Sequence, residues 1–322
     1  MKRIGVMTSG GDAPGMNAAI RAVVRVGLAK GLEVIGVERG FVGLVNGEWR
    51  EMTARAVGGI IQHGGTILGT ARSEEFRTRE GQRKAVENLR KWGVDGVVII
   101  GGNGSLRGGL ELHRAGVRVV GVPASIDNDI PGTQMAIGVD TALNTALEAI
   151  DRIKDTASAH QRAFIIEVMG RNCGYLALMA GFASGAEVVL IPEVDTTVES
   201  IVRELREAYE RGKPHFIVVA AEGAKLKAEA VRDHIAGMQE KGFEARLTVL
   251  GHVQRGGSPS AFDRILATRL GATAVECLVE GMSGKMVGLI GSAVVQVDID
   301  QAIAGPCGIN KDVYELSKLL SK

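Results

Sequence analysis

No apolar stretch of this chain approaches the ~20 residues that span a bilayer, and the N-terminus enters a strand pattern at once, without a signal-peptide signature. A soluble cytoplasmic protein is expected. A charge excess of either sign is equally lacking. The 38 Lys and Arg against 37 Asp and Glu leave a formal charge of +1, so no global field draws nucleic acid or an anionic membrane, and neither is expected as a partner. Any charged ligand must then be held locally. Cysteines number only three, Cys173, Cys277 and Cys307. Their odd count and lack of metal-ligand spacing predict reduced, structural thiols. Aromatics make up 4%, and neither a low-complexity linker nor a solenoid repeat interrupts the chain. What is abundant is glycine, at 45 residues, which suits tight turns and close backbone approaches.

Short apolar runs alternate with helical patterns throughout, with strands expected near Ile4, Val34, Val97, Val119, Ile165, Val188, Ile217 and Val249. That alternation is the pattern of parallel sheets covered by helices, and the length fits two linked α/β domains. The first boundary falls near Gly138, before a long helix pattern over Asp140 to Thr156, and the helical segment Ser260 to Glu280 is expected to return to the first domain.

Three turns after strands carry the chemistry. Arg3 to Met7 runs into Thr8-Ser9-Gly10-Gly11-Asp12-Ala13-Pro14-Gly15, with Pro14 placed to open a helix. Val97 to Ile100 runs into Gly101-Gly102-Asn103-Gly104-Ser105, ahead of a helix to about Ala115. Glycines there let backbone N–H groups close on phosphate oxygens, and the helix N-terminus adds its positive dipole end. Gly102, Gly104 and Gly108 miss the dinucleotide fingerprint because Arg107 stands where its third glycine belongs, which weakens a nicotinamide-dependent reading. The third turn, Pro123 to Thr133, reads P-A-S-I-D-N-D-I-P-G-T, with Asp127 and Asp129 two apart. One carboxylate there can act as a general base and the other can hold a cation, while a plain solvated turn uses the same residue types.

The second half has its own polar strand ends: Gly170-Arg171-Asn172, Glu222-Gly223, and Gly251-His252-Val253-Gln254-Arg255-Gly256-Gly257. Arg171, Glu222, His252 and Arg255 are therefore expected to converge on one anionic, hydroxyl-rich ligand. For His252 taken singly, a buried and satisfied histidine is the reading.

With Gly10-Gly11-Asp12, the Asn103 turn, S-I-D-N-D, E-V-M-G-R at Glu167 to Arg171 and G-H-V-Q-R-G-G-S-P at Gly251 to Pro259, the chain closely resembles the bacterial ATP-dependent 6-phosphofructokinases, the group A phosphofructokinase family, over nearly its whole length. The resemblance implies two doubly wound, mostly parallel αβα sandwich domains with the active site in the cleft between them. Residues 1–138 and 254–304 would form the ATP-binding domain, and residues 139–253 and 305–322 the fructose 6-phosphate domain. It implies transfer of the γ-phosphoryl group of Mg-ATP to the sugar 1-hydroxyl, a step of glycolysis. Asp127 matches the base and Arg171 the arginine that offsets transition-state charge. Arg72 matches one that reaches the ATP phosphates, with Gly11, Ser73, Gly102, Asn103, Gly104, Ser105 and Gly108 completing the nucleotide site. Asn103 and Asp129 stand at the Mg²⁺ positions. Ser125, Met169, Gly170, Arg171, Glu222, His252 and Arg255 match the fructose 6-phosphate pocket. Arg162 and Arg246 match residues that enter it from a neighbouring subunit, so a homotetramer is implied.

Relatives that use pyrophosphate carry aspartate at the position of Gly104 and lysine at that of Ala124, so this chain resembles the ATP users. It departs from the usual pattern at Asn103, where aspartate is the rule, and at Ser125, where threonine is. Ser73 stands where some relatives have an aromatic residue. The loss of a carboxylate at Asn103 motivates a second reading, a catalytically weakened paralogue that binds nucleotide and sugar phosphate as a regulator. Arg21 and Arg25, four apart on the first helix, read on their own as a solvated basic face. In the resemblance they join Arg55, Lys154, Gly185, Glu187, Arg211, Lys213 and His215 at an effector site for ADP or phosphoenolpyruvate, with Arg55, Lys154 and Arg211 as departures in position or basic type.

Overall fold

The computed structural model describes residues 1–160, 162–238, 244–305 and 308–321. In chain order the elements are β1 (Arg3–Ser9), α1 (Met16–Ala29), β2 (Glu33–Val37), α2 (Phe41–Asn46), β3 (Trp49–Glu51), α3 (Arg79–Lys91), β4 (Gly96–Gly101), α4 (Asn103–Arg114), β5 (Val119–Pro123), α5 (Val139–His160), β6 (Ala163–Val168), α6 (Tyr175–Ser184), β7 (Val188–Leu190), α7 (Val198–Glu210), β8 (Phe216–Ala221), α8 (Ala228–Ala236), β9 (Ala245–Val249), α9 (Ala261–Val279), β10 (Lys285–Ile290), β11 (Ala293–Asp298), α10 (Ile299–Ala302) and α11 (Lys311–Leu320). Two compact units contain them. One comprises Met1–Ile126, Ile130–Thr141 and Arg255–Pro306, and the other Asp127–Asp129, Ala142–Gln254 and Cys307–Lys322.

The first unit is built on a seven-stranded sheet of order β11-β10-β5-β4-β1-β2-β3. Its five central strands run parallel and only the edge strands β3 and β11 are antiparallel. Every residue of β4 is buried, as its β-branched run Val97-Val98-Ile99-Ile100 requires of a strand covered on both faces. α1 buries Met16, Ile20, Val23 and Val24 and leaves Arg25 exposed. Strand order reverses between β1 and β4, the switch point at which open α/β sheets bind ligands. The register decides what meets there. Ser9 pairs with Gly101 and Gly101 with Pro123, so all three chemistry-bearing turns leave adjacent strands at one level.

The second unit has a four-stranded parallel sheet of order β7-β8-β6-β9. β8 is entirely buried, and Phe216, Val218 and Ala220 share a core with Ile201, Leu205 and Val231 of the flanking helices. α11 packs against α6, and Lys213 Nζ donates to the carbonyl of Ser321 at 2.6 Å.

Three expectations change. α1 begins at Met16 rather than at Pro14, because Gly15 caps it at φ 108° and ψ −12°. A side chain at Gly15 would stand 2.6 Å from Ile137, so the chain turns there before it can become helical. β3, β10 and β11 were not anticipated. The first has three exposed residues, and the β10–β11 hairpin combines a glycine-interrupted strand with a mostly half-exposed one, so neither gives a clean period-two signal. Finally, Cys173 is disulfide-bonded, against the expectation of three reduced thiols. An odd count secures one unpaired thiol, here the buried Cys277, and leaves room for a pair. Cys307 lies outside the described residues.

Candidate active site

In the first unit the glycine turns enclose polar atoms that packing alone leaves idle. Ser105 is 2% exposed, and its hydroxyl has no hydrogen-bond partner among the described residues. It lies where a Cβ on Gly101 would approach it to 2.5 Å and one on Gly10 to 3.1 Å. A buried hydroxyl at the start of the twelve-residue α4, beside two glycine turns, suits an anionic oxygen. Gly102 is the N-cap of α4 and Asn103 its first residue. Gly104 is exposed, and a Cβ there would meet nothing within 4 Å, whereas a Cβ on Gly108 would strike the ring of Phe41 at 2.4 Å. Phe41 stacks on Phe76 at 4.2 Å between centroids. Ser73 Oγ accepts the Phe76 N–H at 3.1 Å, so it serves as a local cap. Arg72 is exposed nearby in sequence and forms no ion pair among the described residues.

The first turn is held from two sides. Thr8 Oγ1 donates to the Gly69 carbonyl at 2.9 Å and Thr70 Oγ1 to that of Gly10 at 2.5 Å. Arg255 Nη1 donates to the Asp12 carbonyl at 3.2 Å, and its guanidinium fills the space where Gly11 would carry a Cβ. Glycine at position 11 is thus required by close approach of an arginine. The third turn is braced by Ile137, which gives its N–H to the Pro123 carbonyl at 3.0 Å and accepts that of Ser125 at 3.1 Å.

In the second unit, Asp127 is 3% exposed and its Oδ2 lies 3.4 Å from Nε of Arg171. The guanidinium itself stays mostly in solvent, so its charge is available to a ligand. Arg171 adopts φ 50° after Gly170 at φ 139°, and Asn128 also has φ 50°. Left-handed non-glycine residues persist only where surroundings impose them. Here Glu222 accepts the Arg171 N–H at 2.7 Å, and the Arg171 carbonyl lies 1.7 Å from where Gly223 would place a Cβ. Val168 pairs with Ala221, and Glu167 with Val249, so the strand ends carrying Met169, Gly170, Arg171, Glu222 and the 251–255 segment stand abreast. Met169 is 7% exposed. Burial, reinforced by Glu229 and Glu222, raises the Glu167 carboxyl above its ordinary range.

His252 is exposed within a 3₁₀ turn, Gly251–Arg255, and is not the buried histidine its apolar context suggested. The buried residue of that turn is Gln254, which spends its amide on the Gly251 carbonyl at 3.1 Å. Arg162 and Arg246 are brought together by Glu244, a residue no motif singled out, which pairs with both.

Of the nine residues assigned to an effector, six lie in the second unit. Lys213 Nζ meets the buried Glu187 at 3.0 Å, and Glu187 also accepts the Ile217 N–H at 2.7 Å. Lys154 donates to the Ser184 carbonyl beside Gly185, the left-handed cap of α6. His215 Nδ1 is 2.8 Å from Ser158 Oγ. Arg211 faces Glu207 at 3.8 Å, and both line, with Glu187, a cavity of about 720 Å³ beneath α11. Arg21 and Arg25 lie on α1 and Arg55 in an exposed turn of the first unit. Burial pushes His215 below its usual range, Lys154 and Lys213 add to that shift, and Glu187 opposes it.

Comparison with known proteins gives one consistent answer. The family model described as Phosphofructokinase matches residues 3–278. The chain is 53% identical over 321 residues to the ATP-dependent 6-phosphofructokinase of Natranaerobius thermophilus, covering 100% of both chains, and equally so to that of Halalkalibacterium halodurans. Among solved structures it is similar to phosphofructokinase from Saccharomyces cerevisiae, with a TM-score of 0.87 and 37% identity over 99% of this chain and 47% of the yeast chain.

Proposed function

The chain belongs to the phosphofructokinase family, and on that premise we propose that it transfers the γ-phosphoryl group of ATP to the 1-hydroxyl of fructose 6-phosphate, giving ADP and fructose 1,6-bisphosphate. The observation that carries the reading is the buried Asp127 carboxylate with the solvent-facing Arg171 guanidinium beside it. Asp127 takes the hydroxyl proton, the sugar oxygen attacks the γ-phosphorus, and the bond to the β–γ bridging oxygen breaks as ADP leaves. Arg171 offsets charge on the transferring group, so positioning and electrostatics supply the rate.

In this reading the first unit holds the nucleotide. The Gly10–Gly15 turn, the α4 N-terminus, Ser105 and Arg72 receive phosphate oxygens. The second unit holds the sugar phosphate through Arg171, Glu222, Met169 and His252. Asp129 would offer a carboxylate and Asn103 an amide carbonyl, each a hard oxygen of the kind Mg²⁺ takes. When bound, the cation neutralises phosphate charge. Arg162 and Arg246 would serve a neighbouring subunit's pocket in a homotetramer. No helix among the described residues is long and apolar enough to cross a membrane. The regulator reading raised by Asn103 gains no support from relatives that bear the enzyme's name over their full length.

The deciding assay is ADP release by purified protein with Mg²⁺, ATP and fructose 6-phosphate. Sugar-dependent turnover is expected, and its absence would return the regulator to first place.

The effector assignment carries its own prediction. His215 is neutral near neutral pH, since its pKa lies below the ordinary 6.5. Protonation as pH falls below 6.5 adds a positive charge beside Lys154 and Lys213, so the response to an anionic effector, ADP or phosphoenolpyruvate, strengthens there. Saturation curves for fructose 6-phosphate should shift by about threefold more at the acidic end, and His215→Asn should remove that difference. Curves that ignore both effectors at every pH would eliminate the site.

A further inference from the structure

Asp263 lies in the first turn of α9 and is fully buried. A carboxylate so placed needs donors, because desolvation otherwise disfavours its charge. Three are provided. One oxygen accepts the Gly138 N–H at 2.8 Å, and the other accepts the Thr141 N–H at 2.8 Å and its hydroxyl at 2.5 Å. The surroundings close the network. Ser260 caps α9 by accepting the Asp263 N–H at 3.2 Å, donates its hydroxyl to Asp140 at 2.6 Å, and gives its own N–H to Thr141 Oγ1 at 3.0 Å. The start of α5 is therefore satisfied by Asp263 of α9, and that of α9 by its own Ser260 and by Thr141 of α5.

The Gly138 N–H is more than a helix end. It belongs to the Ile137–Gly138 peptide, and Ile137 is the residue that bridges to Ala124 and brackets Pro123 and Ser125. On its other side the same peptide abuts the first turn. A Cβ on Gly138, at φ 104°, would lie 2.7 Å from that of Ala13, and one on Gly15 would lie 2.6 Å from Ile137 and 3.5 Å from the Asp263 carbonyl. The peptide that Asp263 grips is thus wedged between the phosphate turn and the turn leading to Ser125 and Asp127.

We propose that Asp263 is a positioning residue, which by holding the Ile137–Gly138 peptide fixes the separation between the Gly10–Gly15 turn and the Pro123–Ile126 turn. The proposal rests on the kinase reading of those turns.

Asp263→Asn preserves volume but presents N–H groups to backbone donors. At saturating ATP and fructose 6-phosphate, kcat per folded molecule should fall about 10- to 100-fold, the loss expected of ångström-scale misplacement, with both KM values within about threefold of wild type. Circular dichroism at the assay temperature confirms folding. A folded variant with lowered Tm but wild-type kcat would overturn the proposal and leave Asp263 as a helix cap. If Asp263→Asn does not fold, Thr141→Val removes the hydroxyl bond to Asp263 together with the acceptor of the Ser260 N–H, leaves both backbone bonds to the carboxylate, and should lower kcat about threefold at unchanged KM, and an unchanged kcat would overturn it equally. Wild-type turnover in the same assay tests the kinase reading separately, since its loss there has nothing to do with Asp263.

Discussion

Asp127→Ser is expected to lower turnover on the order of 10²- to 10⁴-fold, the range for loss of a positioned general base, while the KM for fructose 6-phosphate changes little. The split follows from the geometry. Asp127 is buried and reaches Arg171 Nε at 3.4 Å, whereas the sugar phosphate would be gripped by Arg171, Glu222 and His252, none of which the substitution removes. The change relieves a desolvated carboxylate, and Arg171, the guanidinium it leaves, is 59% exposed and so remains hydrated, which limits the cost in stability. Its backbone is fixed independently by Glu222 and by the close packing over Gly223. Kinetics and thermal melting on one preparation check both halves. A near-normal kcat would remove Asp127 from the chemistry, and a collapsed Tm would recast it as structural.

The chemistry-bearing turns were legible because they are local events. A run such as Val97 to Ile100 followed by Gly101-Gly102-Asn103 announces a strand, a turn and a helix within a dozen residues. Their juxtaposition was not, because Ser9, Gly101 and Pro123 come abreast only through the order β5-β4-β1, which no short window encodes. The family resemblance supplied that step. Exposure was equally hidden. His252 lies just past β9, in a 3₁₀ turn that leaves it exposed and buries Gln254 instead.

Asp263 went unnoticed although Ser260-Ala-Phe-Asp263 before Ile265-Leu266 has the spacing of a capping box. That signal predicts the cap of α9, but it is silent on the bonds to Gly138 and Thr141, more than a hundred residues upstream. Glu244 shows the same limit. It lies in β9's approach, and only the parallel pairing of β6 with β9 brings it to Arg162.

Gly104→Asp separates folding from donor choice. Glycine at this position is required neither by space, since a Cβ would meet nothing within 4 Å, nor by backbone, since its φ is not positive. As the second residue of α4, an aspartate would gain about 0.3–1 kcal/mol from the helix dipole, so Tm should hold or rise. The same charge opposes a triphosphate received at that helix start. Two unit charges 4 Å apart repel by about 4 kcal/mol at an effective dielectric of 20, and even two-thirds of that corresponds to about a 100-fold loss in kcat/KM for ATP. Wild type should use Mg-ATP far better than pyrophosphate. In the variant that margin should narrow, because the side chain also occupies open space that the adenosine part of ATP, but not pyrophosphate, would need. If the variant melts early and its folded fraction uses ATP normally, Gly104 serves the fold. If wild type prefers pyrophosphate, the glycine does not select the donor and the ATP assignment fails with it.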